Sequence, residues 1–161
     1  MTKPLVVRTS SYWRLAVVLM VLFALQGAGW SLWSLPGLII GTVVFFVLRV
    51  LLQRHAKSFQ KRGLQLMAEE RYAEAAVAFE AGFQFFEEHR SLDRHRAITM
   101  LDHSEMDWRE IMLANTASNH AMAGNKARAI ELYEHCLQLY PASRLAKPAL
   151  RFLTAGTSEA G

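Results

Sequence analysis

Two apolar runs of eighteen residues, Leu15 to Leu32 and Leu35 to Leu52, stand almost back to back near the start of the chain, and Arg49 is the only charge in either. A helix over each run is about 27 Å long at about 1.5 Å per residue, enough for the hydrocarbon core of a bilayer. The connection, about Ser31 to Pro36, is short and uncharged. Residues 15–52 therefore read as a transmembrane helical hairpin. A cleaved signal peptide is the competing reading of the first run, but that run is long, lacks a convincing cleavage site and is followed at once by a second span. Tyr12 and Trp13 open the first span and Trp30 and Trp33 close it, where amphipathic rings favour the headgroup layer.

Charge sets the orientation. Residues 1–68 carry eight Lys and Arg and no acidic residue; residues 69–161 carry ten against fourteen Asp and Glu. Lys3, Arg8 and Arg14 precede the hairpin, and Arg49, Arg54, Lys57, Lys61 and Arg62 return to the same side, so the positive-inside rule places both termini in the cytoplasm. Basic residues that flank apolar runs are a membrane pattern, not the basic face or reader motif of a nucleic-acid binder. The chain is expected in a bacterial cytoplasmic (inner) membrane.

Within the spans, Ala24 and Ala28 are four apart, and Gly37 and Gly41 form a GxxxG. Counted outward from a turn near Trp33, Ala28 matches Gly37 in depth and Ala24 matches Gly41, so the two pairs are candidates for packing face to face. Small residues are common in any membrane helix, and pairing with another protein's helix uses the same faces; the motif leaves all three open. No Gly or Pro occurs between Gly41 and Gly63, so the second span is expected to run on as a basic juxtamembrane helix, 53–62. There Arg54, Lys57 and Lys61 recur at i, i+3 and i+7, a stripe suited to anionic lipid headgroups, although topology marking explains the same residues.

The remainder reads as helical throughout, over about 56–68, 72–89, 105–122, 126–140 and 144–154, with no alternating segment long enough for a strand. Ser104 with Asp107 has capping-box spacing, Asn125 can cap the next helix, and Pro141 ends it. Residues 155–161 read as a frayed tail. The fold class is all-α: two transmembrane helices, then a small helical domain over residues 63–154.

Two helix pairs in that domain resemble tetratricopeptide repeats. In the first, about 56–89, Gly63 fits the small position of helix A, and Tyr72, Ala75, Phe79 and Gly82 fit helix B. In the second, about 110–143, Ala117, Ala129, Tyr133, Cys136 and Pro141 occupy the equivalent sites. The resemblance covers about 68 residues. Glu87 stands where the family has proline, and Lys126 where the first unit has Tyr72. Equivalent sites are 54 residues apart, which leaves about twenty, 90–109, as an insertion. The insertion and the 144–154 helix are expected to cover the exposed ends, since two repeats are few for a solenoid.

Chemistry-bearing residues are sparse. His89, His95, Asp102, His103, Glu105 and Asp107 cluster loosely in and beside the insertion but fit no recognised metal or acid/base spacing, and no phosphate-binding or nucleophile motif occurs. His120 and His135 lie in repeat helices. Cys136, the only cysteine, falls at a small-residue packing site and reads as buried and inert. No catalytic residue, cofactor, metal or small-molecule substrate is expected. The resemblance implies a protein-binding scaffold. Gln60 and Leu64 occupy the positions of the Lys and Asn that clamp peptide carboxylates in some such domains, so that clamp is absent. The expected partner face is the helix A face of the second unit together with the insertion, with Trp108, Ile111, Asn115, Ser118 and Met122 as its contacts. The sequence thus reads as a membrane-anchored adaptor that holds a protein partner at the cytoplasmic face. The alternative is an accessory or assembly subunit of an integral membrane complex that makes contact through the hairpin, and an enzyme built on the His/Asp-rich insertion comes third.

Overall fold

The computed structural model describes residues 11–158, and the side chains of all of these except residues 55, 56 and 156–158. Lys3, Arg8 and the last three residues of the expected tail lie outside them. The described residues are all-helical, with no strand element: α1 (Tyr12–Ala68), α2 (Tyr72–Glu88), α3 (Arg90–Arg94), α4 (Arg96–Thr99), α5 (Trp108–Met122), α6 (Lys126–Leu139) and α7 (Ala146–Ser158). They divide into two compact units, one of residues 11–55 with 91–106, the other of 56–90 with 107–158.

In the first unit α1 breaks at Trp33 (φ −141°, ψ 22°) and Ser34 (φ 52°, ψ −128°). Ser34 adopts a positive φ that costs a non-glycine residue about 1–3 kcal/mol. Pro36 follows in the first turn of the resumed helix, where no backbone donor is needed. The two arms fold back on each other. A Cβ on either Gly29 or Gly37 would collide with the other's backbone, and one on Gly41 would collide with that of Leu25 and Gln26. Gln26 Nε2 donates to Thr42 Oγ1 at 2.9 Å. The two arms thus form a helical hairpin in a register other than the expected one: Gly37 meets Gly29, not Ala28, and Gly41 meets Leu25, not Ala24. Ala24 and Ala28 are exposed, because the face that carries Val18, Val21, Leu22, Leu25 and Gly29 is the one turned inward.

Residues 91–106 complete this unit. Val18 and Phe45 are each 3% exposed and Leu101 2%, forming one cluster. Gln53, itself 2% exposed, donates Nε2 to the carbonyl of Met100 at 2.9 Å. Arg14 Nη1 donates to the carbonyl of Ser104 at 2.7 Å, and the N–H of Ser11 to that of His103 at 3.0 Å. Most of the insertion, residues 91–106, thus belongs to this unit, with Leu101 in the cluster of Val18 and Phe45.

The second unit is built on tight helix crossings. A Cβ on Gly63 would enter the ring of fully buried Phe79, and one on Gly82 would lie 2.9 Å from Met112 Sδ. Ala75, Ala117, Ala129 and Cys136 are all fully buried, and Tyr133 is 5% exposed. The α1–α2 turn places Glu70 at φ 59°, and Arg71 forks between Glu69 and Glu74 at 2.9 and 2.5 Å. Those contacts lower both carboxyl pKa values. Asn125 caps α6, accepting from the N–H of Arg128. Ser104 does not cap α5: its N–H and hydroxyl donate to Asp102, so α5 starts at Trp108, with Asp107 at its N-cap. α7 starts at Ala146, whose N–H donates to Ser143 Oγ, and runs to Ser158, beyond the expected end. It packs Ala146, Ala149, Leu150 and Leu153 against the core of α5 and α6, covering that end as expected, with Pro148 harmless in its first turn.

Candidate functional site

α5 carries the residues expected to meet a partner. The face it turns to α2 and α6 holds Met112, Leu113, Thr116, Ala117 and Asn119, all buried. Ile111, Asn115, Ser118 and Met122 follow one another at helical spacing on the remaining face. The first three are half-buried and Met122 is 52% exposed. Asn115 Nδ2 donates to the carbonyl of Ile111 at 2.8 Å, so that amide is turned along its own helix. Ser118 and Tyr133 share a side-chain hydrogen bond, and burial raises the Tyr133 pKa despite it. Trp108 departs from the expectation. It is 8% exposed and stacks on Phe86 with ring centroids 6.3 Å apart, because the later start of α5 places it at the first turn, against α2. It is a core residue. Arg109 beside it ion-pairs with Glu87 and lies over the rings of Phe83 and Tyr140, at 5.6 and 6.0 Å.

Several polar residues in and beside the insertion are engaged within the fold. His89 stacks on Phe85 at 4.6 Å. Among the described residues no three His, Cys, Asp or Glu side chains are placed to hold a metal ion. The organising group is one that sequence reasoning missed. Arg96 is fully buried, donating Nη1 to the carbonyl and the carboxylate of Asp93, both at 3.0 Å, and Nη2 to the carbonyls of Ser104 and Glu105 at 3.2 and 2.9 Å. Gln53 was missed too, for nothing in a basic helix marks one glutamine as the donor to a backbone 47 residues later. Arg14, expected only to mark topology, also holds the insertion.

Arg54, Lys57 and Lys61 are all exposed. Cys136 is buried as expected, and burial pushes its thiol up to about 12, which removes nucleophilic thiolate at neutral pH. A cleft between α2, α5 and α6, with Glu80, Arg128 and His135 around Phe83, Leu113 and Leu132, had no signal in the sequence, since its residues come from three separate helices. The stretch Tyr12–Arg54 is long and apolar enough to cross a membrane, with an 18-residue window of mean hydropathy 2.4. Comparison with protein-family models, curated proteins and solved structures returns no match.

Proposed function

We propose that the chain is a membrane-anchored helical adaptor: the hairpin of α1 crosses the membrane, both termini lie in the cytoplasm, and a tetratricopeptide-like domain holds a protein partner at the inner face. The observation that carries the reading is the stripe Ile111, Asn115, Ser118 and Met122, an incompletely covered face on a helix whose other side is buried by α2 and α6. Membrane crossing is supported by the apolar stretch itself, only 17% of whose most apolar window is buried within the protein. The tetratricopeptide likeness is supported by the burial of Gly63, Ala75, Phe79, Gly82, Ala117, Ala129 and Cys136, the positions at which such repeats require small or interlocking residues. Lipid headgroups at Arg54, Lys57 and Lys61 complete the anchor.

A second reading, an accessory or assembly subunit of a membrane complex, is favoured by Ala24 and Ala28, small residues that the hairpin leaves on its outside. One experiment separates the two. Photo-crosslinking side chains are placed singly at Ser118, Met122, Ala24 and Ala28 and activated in native membranes. The adaptor reading expects a discrete protein adduct from Ser118 and Met122, lost when the neighbouring Ile111 is changed to Glu. Adducts from Ala24 and Ala28 alone would replace it with the accessory-subunit reading.

A further inference from the structure

The insertion has a feature that neither reading uses. Its Leu101 side chain packs into a part of the hairpin that a bilayer would surround. Leu101 shares one buried cluster with Val18 and Phe45. Counted from the reversal at Trp33 and Ser34, those positions lie about 22 Å and about 17 Å along their arms at about 1.5 Å per residue. With the reversal at the far edge of a hydrocarbon core about 30 Å thick, they fall about 8–13 Å inside the near edge, and any tilt carries them deeper.

Backbone at such a depth is tolerated only when protein groups satisfy its hydrogen bonds. Several carbonyls of the segment have such donors. The carbonyl of Met100 accepts from Gln53, that of His103 from the N–H of Ser11, and those of Ser104 and Glu105 from Arg14 and Arg96. Leu101 takes a positive φ of 49° at the point where the chain turns into the cluster. On the outer side of the same segment Ile98 is 64% exposed, continuous in character with the exposed apolar residues of α1, and Arg94, four residues earlier, is also exposed. An apolar side chain with a cation near it matches the order of acyl chain and phosphate in a leaflet.

We infer that residues 91–106 are a second membrane-contacting element, an interfacial collar that packs on the hairpin, buries Ile98 among acyl chains and places Arg94 at the lipid phosphates. The inference rests on the membrane-spanning reading of α1. Its occupant is a lipid leaflet. In a Cys136→Ala background, which keeps a small apolar group at that buried site, single cysteines at Ile98, Arg94, Val44 and Gln138 carry a nitroxide. The full-length protein is placed in vesicles of phosphatidylcholine and phosphatidylglycerol. The ratio of oxygen to aqueous nickel-chelate accessibility is expected several-fold higher at Ile98 than at Gln138, approaching that at Val44, with Arg94 between. Ile98 and Arg94 both matching Gln138 while Val44 reads lipid would overturn the collar and leave the hairpin standing. Val44 matching Gln138 would overturn the membrane reading and the collar with it.

Discussion

Replacing Arg96 by Met keeps most of the aliphatic stem and removes the guanidinium, which isolates the electrostatic role of that residue. Asp93, 6% exposed at its side chain, then loses its buried cation, and the carbonyls of Ser104 and Glu105 lose their Arg96 donors. Breaking a buried ion pair by removing one partner costs about 3–5 kcal/mol. Both carbonyls keep Arg14 as a donor, so their loss adds little to that figure. A loss of at least about 3 kcal/mol is therefore expected, and it falls on the first unit alone. Amide hydrogen exchange on the full chain in bilayer nanodiscs reads it directly: protection over residues 97–106 should drop by about two orders of magnitude, since about 1.4 kcal/mol is a factor of ten. Protection over α5 and α6 should stay as in the parent. Asp93→Leu added to Arg96→Met should restore part of the loss by removing the stranded charge. Parent-like exchange in the single variant, or a double variant as damaged as the single, would refute the assignment of Arg96 as the organising group.

Three further outcomes follow from the second unit. Gly63→Ala should destabilise it by about 1–3 kcal/mol in denaturant titration, because the new methyl meets the buried ring of Phe79, and Phe79→Leu in the same chain should recover part of that. Ala75→Arg or Ala129→Arg should each cost about 3 kcal/mol or more, read as loss of cooperative melting, since both sites are fully buried at helix crossings. Cys136 should resist alkylation at pH 8 until the protein is denatured. Because its folded pKa of about 12 lies above the ordinary 9.0, its contribution to stability is complete below about pH 9 and is lost as pH rises towards 12. Rapid labelling of folded protein at pH 8 would contradict its burial.

What could be read from the sequence was what local pattern specifies. The apolar length of α1, the cap at Asn125 and the small residues at Gly63, Ala75, Ala117 and Ala129 depend on neighbours within a few turns or on periodicity, and each is where it was expected. The misplaced details depend on rotation and on distant chain. Ala28 and Gly29 differ by one position, about 100° around a helix, and depth counting cannot distinguish them. Ser104 and Asp107 have the spacing of a cap, yet Asp102, two residues before Ser104, competes for the same hydroxyl. Trp108 was expected at the partner face as a large apolar group beside an open groove, but such a ring also suits a core, and it is buried against Phe86. The insertion was least legible, since Gln53, Arg14 and Arg96 act on carbonyls far away in sequence or unmarked by any motif.

The chain passes between its two units three times, near residues 55, 90 and 106, and that order has a consequence during synthesis. The hairpin leaves the ribosome ahead of the insertion, and the group that accepts from the amide of Gln53 is the carbonyl of Met100, 47 residues later. At about 5–20 residues per second, the hairpin waits about 2–10 s for its own cover. During that interval the turn at Glu70 and all of α2 are made, while α5, against which α2 packs, is still to come. The insertion emerges before α5, the helix that its second end leads into. A chain cut after residue 62 never receives that cover at all.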